Sequence, residues 1–290
     1  MVFEVTMTHN NFEALSYRVR REIIKLSGRG GCFIGASLSC VEILTYLYNA
    51  KMQYELDTEG KHLSGDIFLL SKGHDVPALY SLFAELGIIN KSRLENHLDG
   101  IDDIYWHPNP EVPGVHYHSG SLGQIPSVAI GIALAKRLRS DPSNVYVLMG
   151  DGELNEGSVW EAFMISAAKK LNNLTFLIDR NGFQANLKTE DLIPLEPLDE
   201  KLKSFGLAVG RCDGHSFKKI AETFSEVEGD KGERPRVIIF DTIRGKGLPS
   251  IENRADRWFC SFTSEEVDQL LIELDGGSKA SISSEKLIVR

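Results

Sequence analysis

The chain has 290 residues, 42% hydrophobic and 25% charged, which suits one large folded domain or two small ones and excludes a disordered chain. A formal charge of -9 argues against a general binder of nucleic-acid backbones or anionic membrane surfaces, because both select basic faces. The opening MVFEVTMTHNNFE lacks a basic stretch followed by an apolar one, and no apolar run nears the roughly 18 residues of a membrane span, so a cytoplasmic setting is expected.

Taken in chain order, Phe12, Leu15, Val19, Ile23 and Leu26 fall on one face of a helix that Gly28 can end. Ser39 with Glu42, and Thr263 with Glu266, form capping-box patterns before apolar runs and predict two further helix starts. Buried strands are expected at 67–70, 145–149, 175–178 and 237–240, with helices at 76–87, 126–138 and 158–171. Such alternation implies an α/β fold, a mainly parallel sheet with helices on both faces. No repeat or linker divides the chain, so a single domain over 1–275 and a mobile tail over 276–290 are expected. Cys32, Cys40, Cys212 and Cys260 show neither CxxC spacing nor a dense framework, and buried thiols are expected rather than zinc ligands or disulfides.

The stretch GDGELNEG, residues 150–157, lies between an expected strand and an expected helix. In an open parallel sheet, ligands collect beyond the carboxyl ends of strands, and that is where Asp151 falls. Gly150 and Gly152 let a phosphate approach the backbone. An Asp that caps a strand-to-helix turn explains the same triplet. A second signal, IDRNGFQ at 178–184, puts Asn181 at the end of the next strand. Asp151, the Asn181 amide oxygen and a carbonyl near Phe183 could supply three hard oxygens to magnesium, the remaining positions going to a diphosphate and water. Asn-Gly also simply makes turns. A calcium EF-hand fails, since Glu156 stands where glycine is required and Ala162 where glutamate is required. A dinucleotide fingerprint fails too, because GRGGCF at 28–33 lacks its last glycine and follows a helix.

With GDG followed about thirty positions later by Asn, the chain resembles the thiamine-diphosphate enzymes. More narrowly it resembles the amino-terminal half of transketolase, from about residue 12 to 275, through SLSCVEILTYLY, LSKGHDVPALYSLFAELG, HPNPEVPGV, SGSLGQ, GDGELNEGSVWEA, DRNGFQ, PLEPLDEKLKSFG, DGHSF and IRGKG. The resemblance implies the thiamine-diphosphate-binding fold. It implies that Asp151, Asn181 and the Phe183 carbonyl bind Mg2+ or another divalent cation, while Gly152 and His74 approach the diphosphate. Gly120 and Leu122 would meet the aminopyrimidine, and Ile243 the thiazolium. His107 would hydrogen-bond substrate oxygens, and Glu156 and Glu161 would belong to a proton-relaying network between paired cofactor sites. Plainer readings stand beside these: a helix cap for His74, a loop histidine for His107, and dipole-favoured helix-start carboxylates for Glu156 and Glu161. His9, His62, His97, His116, His118 and His215 are expected to be surface or structural.

A full transketolase carries two further domains, which 290 residues cannot hold. The resemblance therefore implies a separate carboxyl-terminal subunit bearing the pyrimidine-binding domain, in a dimer of such heterodimers. That domain's glutamate would act on the pyrimidine ring. Two departures bear on substrate: Phe33 in GCFIGASLS and Phe259 in WFC stand where the family commonly has histidines. Each loses a hydrogen-bonding partner, worth roughly 1–3 kcal/mol, so a less hydroxylated substrate, or rescue by His116 or His118, is implied. The expected activity is a carboligase transferring a ketol unit to an aldehyde; a 2-oxo acid donor losing carbon dioxide and a non-catalytic scaffold are the alternatives.

Overall fold

The computed structural model describes residues 9–230 and 232–283; the side chains of His9 and Asn10, and residues 284–290 of the expected tail, lie outside that description. Its centre is a five-stranded sheet: β1 (Ile67–Leu70), β2 (Val145–Gly150), β3 (Leu174–Arg180), β4 (Ala208–Asp213) and β5 (Arg236–Asp241). The spatial order is β1-β2-β3-β5-β4 and every pairing is parallel. The mainly parallel α/β sheet expected from the sequence is thus the sheet observed.

Parallel strands alternate their side chains between two faces, and here both faces are apolar. Phe68, Leu70, Tyr146, Leu148, Leu177, Ile238 and Phe240 share one core with α1 (His9–Ser27), α2 (Ile34–Ser39), α3 (Val41–Tyr46) and α4 (Val76–Leu86). Leu69, Val145, Val147, Met149, Phe176, Ile178, Val237 and Ile239 share the other with α5 (Ile125–Leu138) and α6 (Gly157–Ala168). α4 stops at Gly87, whose φ of 73° is the left-handed conformation that glycine reaches without a Cβ penalty.

Local pattern and tertiary context disagree at Ser39. A helix does start close by, α3 at Val41, but the box does not form: α2 ends at Ser39, the cap residue is Cys40, and no side-chain cap bond is made. The Ser39 hydroxyl instead donates to Asp179 and the Ala36 carbonyl, and Glu42 pairs with Arg20 and His215. Buried charge outweighs the local cap. The Thr263 and Glu266 box does form, on α8 (Ser264–Leu274), which follows α7 (Phe217–Glu228).

Strand β4 was not foreshadowed in the sequence, because Gly210 and Arg211 break its apolar run. Gly210 is required by packing: a Cβ there would fall 2.5 Å from Thr223 on α7. Residues 276–283 of the expected tail bond back to the last helix. Ala280 is buried and its amide donates to Glu273, while the Ser283 amide donates to Glu266. Three cysteines are buried and Cys212 is half-buried, all as free thiols. Among the described residues no helix is long and apolar enough to cross a membrane.

Candidate cofactor and active site

The sheet register sets the carboxyl ends of β2, β3 and β5 level, with Gly150 opposite Asp179 and Asp179 opposite Phe240. Their loops therefore converge with the Ser71–Asp75 turn that follows β1. Several buried charges meet at this end. Lys72 is 1% exposed and pairs with both Asp75 and Asp179. Asp179 also accepts from Ser39, Thr242 and the Asn181 amide, the last at 3.1 Å. Burial alone would raise Asp179, but Lys72 and these bonds hold it below the usual carboxylate range. Asp75 has less support, and burial pushes it up to about 7 against the pull of Lys72.

Asp151 is 1% exposed. Its Oδ1 accepts from the Gly152 amide at 2.9 Å, and Oδ2 accepts from the Gly182 amide at 2.6 Å and from Arg180 at 2.8 Å. The Gly182 bond ties Asp151 to the Asn181–Phe183 turn, so the residues expected to bind metal are brought together. The Asn181 oxygen accepts from the Phe183 amide at 3.1 Å. Burial pushes the Asp151 carboxyl up to about 6 even with Arg180 opposing it, so a further cation beside it would favour its charged form. A hard divalent cation matches that donor set of carboxylate, amide and carbonyl oxygen.

A buried cation nearby is short of partners. Arg244, 1% exposed, donates through Nη1 to the Ala185 carbonyl at 2.5 Å and stacks 5.0 Å from the Phe183 ring centre, yet its Nε and Nη2 are buried without a hydrogen-bond partner. Burial lowers it to about 10 despite nearby Asp75, Asp151 and Asp179. A guanidinium with two unpartnered nitrogens, close to the Asp151 carboxylate, suits a metal-bound diphosphate: Asp151 would be among the residues holding the cation and Arg244 among those holding the phosphate. Sequence reasoning missed Arg244, although a cation inside IRGKG just past a strand end was a usable signal.

The expected cofactor loop lies alongside. Ser119 donates to the Leu70 carbonyl at 2.6 Å, and the Gly123 amide donates to Glu153 at 2.8 Å. Glu153, also missed, accepts from Ser71 and the Gly150 amide as well, and so ties three loops into one wall. Gly120 is exposed, and a Cβ on it would fall 2.9 Å from the His107 ring. Gly73 is similarly close, its Cβ position lying 2.7 Å from Ser119 Oγ and 3.1 Å from the Gly120 amide. Leu122 and Ile243 are half-buried.

His74 does not cap α4, whose cap position is Asp75. Burial, followed by repulsion from Lys72, His107 and Arg244, lowers it to about 3, so the imidazole is neutral. His107 is lowered by burial as well, with His118 adding to the effect. Glu156 and Glu161 are exposed at the start of α6, outside the buried charge cluster.

Phe33 and Phe259 come side by side because Cys32 and Cys260 exchange backbone bonds of 2.9 and 3.0 Å. Their ring centres are 5.1 Å apart; Phe33 lies 5.3 Å from His74 and 5.0 Å from Trp258, and Phe259 lies 5.8 Å from Trp106. An aromatic wall therefore adjoins the neutral His74. His116 packs edge-on against His62 at 4.5 Å, so its contacts are elsewhere, whereas His118 stays within electrostatic reach of His107. His97 bonds to the Arg29 carbonyl, and His215 bonds to Glu42.

A parallel sheet with a diphosphate-type cradle at its carboxyl edge defines a cofactor-binding α/β domain. Residues 23–281 match the family described as transketolase, thiamine diphosphate binding domain, and the chain belongs to that family, whose class is the transferases of aldehyde or ketone residues. It is 34% identical over 274 residues to one of the subunits of the apulose-4-phosphate transketolase of Actinobacillus succinogenes, covering 92% of this chain and 97% of that protein. It is 33% identical over 252 residues to the 6-deoxy-6-sulfo-D-fructose transketolase subunit SqwG of a Clostridium species, covering 83% and 88%. Transketolase from Leishmania mexicana superposes with a TM-score of 0.82 at 20% identity, over 94% of this chain and 42% of that one. This chain thus spans less than half the length of that transketolase.

Proposed function

We propose that the chain is the diphosphate-binding subunit of a two-component transketolase, moving a ketol unit from a donor to an aldehyde acceptor together with a separate carboxyl-terminal subunit. The observation that carries this is the buried Arg244 guanidinium, with Nε and Nη2 unpartnered, beside the turn that joins Asp151 to Asn181 and Phe183. The two relatives named as subunits, matched over most of their length, support the division into two chains. A dimer of heterodimers is the simplest assembly, working in the cytoplasm, with residues 1–275 as one cofactor domain.

When bound, thiamine diphosphate supplies the carbon nucleophile and electron sink that let a carbon–carbon bond break and re-form. Asp151, Asn181 and the Phe183 carbonyl would hold Mg2+. Arg244, the neutral His74 and the Gly152 amide would hold the diphosphate, while Gly120, Leu122 and Ile243 would line the ring systems. His107, also neutral, is able to donate to a substrate oxygen. Glu156 and Glu161 would face the second cofactor site in the assembly, where exposed carboxylates can pass a proton. A glutamate acting on the pyrimidine ring would come from the partner.

The test is calorimetric titration of thiamine diphosphate with magnesium into the chain and into Asp151→Ala. Binding that disappears in the variant is expected, and equal heats from both would refute the reading. The aromatic wall favours one second reading, a 2-oxo acid donor that loses carbon dioxide. Ketose phosphate turnover by the paired subunits without carbon dioxide release would dismiss it.

A further inference from the structure

The turn that carries Ile243 and Arg244 is gripped at both ends by one chain of hydrogen bonds. At its start the Ile243 amide donates to His215 Nε2 at 2.8 Å. Because that nitrogen accepts, the ring proton sits on Nδ1, which donates to Glu42 Oε2 at 3.0 Å. Glu42 is held in turn by Arg20, at 2.7 Å to Nη1 and 2.8 Å to Nη2. At the far end of the turn Arg20 Nε donates to the Lys246 carbonyl at 3.0 Å. The circuit thus runs from residue 243 through His215, Glu42 and Arg20 back to residue 246.

We propose that Arg20, Glu42 and His215 form a positioning clamp for the cofactor site, with His215 as the residue that sets the turn and thereby aims Arg244. The side chains of Arg20, Glu42 and His215 are 8%, 9% and 10% exposed, so water competes weakly for these bonds. Three separate elements converge on them: α1 brings Arg20, α3 brings Glu42, and the loop after β4 brings His215. A further bond, from the Gly245 amide to the Gly35 carbonyl at 2.8 Å, fixes the middle of the turn. Arg244 then leaves on the other side, toward Phe183 and Ala185. Each clamp member acts through the turn and touches no reacting group.

A cavity of about 260 Å³, lined by Arg20, Glu42, His215 and Lys246 among others, opens beside the clamp. It gives a small planar base a route to the place vacated in His215→Ala. His215→Gln keeps a distal oxygen able to accept from the Ile243 amide, though it loses the geometry of the ring.

The clamp rests on the proposed cofactor reading for its purpose but not for its first measurement. In the full chain, His215→Ala should speed hydrogen exchange across residues 242–247 while α1 and α3 remain protected. Imidazole or the His215→Gln change should restore protection. The dissociation constant for thiamine diphosphate with magnesium should rise about tenfold in His215→Ala, the loss of one buried hydrogen bond, and recover with the same two rescues. Unchanged exchange across 242–247 would overturn the proposal, as would exchange that rises everywhere and responds to neither rescue. Absence of thiamine diphosphate binding to the unaltered chain would count against the cofactor reading, while the exchange data would still decide the clamp.

Discussion

Replacing Lys72 by methionine tests whether the charges beneath the site act as one unit. Lys72 is 1% exposed and its ammonium is shared by Asp75 and Asp179, both fully buried. Removing one partner of a buried ion pair costs about 3–5 kcal/mol, because the other charge is left without compensation. Asp75, already pushed up to about 7 by burial, takes up a proton readily, which places the expected loss near the lower end of that range. For a chain of this size each kcal/mol moves the melting temperature by roughly 2–4 °C, so a fall of at least about 6 °C is expected. Thermal melts of Lys72→Met at pH 7 and pH 5 make the check. The orphaned carboxylates bind protons more tightly in the folded variant than in the unfolded chain, so stability should fall as pH rises and the deficit should be smaller at pH 5. A variant within about 1 kcal/mol of the unaltered protein at both pH values would refute the reasoning.

Glu42 gives the opposite pH dependence. Burial alone would raise it, but Arg20 and His215 outweigh burial and lower it from 4.5 to about 2. Its contribution, of order 3 kcal/mol, is therefore fully present above pH 4.5 and lost as pH falls toward 2; urea midpoints of Glu42→Gln should show a flattened acid limb, and an unchanged limb would contradict this. Phe33→His and Phe259→His should each raise kcat/KM for a ketose phosphate donor by about one decade in the paired enzyme, from a restored hydrogen bond. Competition between donors measures it, and no gain in either variant would separate the aromatic wall from substrate choice.

What the sequence showed and what it hid differ in the range of the interactions involved. Asp151 and Asn181 were legible because each sits directly after an apolar strand, and parallel register turns that position into a shared edge. The strands at 67–70, 145–149, 175–178 and 237–240 were legible because both faces are covered and their runs are unbroken. Ser39 and Glu42 were misread because a local capping pattern carries no sign of a buried aspartate 140 residues away. The roles of Glu153 and His215 stayed hidden for the same reason: their partners are loops that meet only after the sheet has formed. Lys72 and Asp179 lay within quoted motifs, but their pairing crosses 107 positions. The edge strand at 208–213 escaped because Gly210 and Arg211 suit a site packed closely under a helix and open to solvent at its rim.

The segment past α8 reaches back to the aromatic wall. The Ile282 carbonyl accepts from Arg257 at 3.1 Å, and Arg257 immediately precedes Trp258 and Phe259 in the aromatic wall. Truncating the chain after Leu274, or crowding those residues with a fused tag, would loosen the buttress behind the wall. On the proposed function, a shift in donor preference would then be the symptom of an edit that never touched the cofactor cradle.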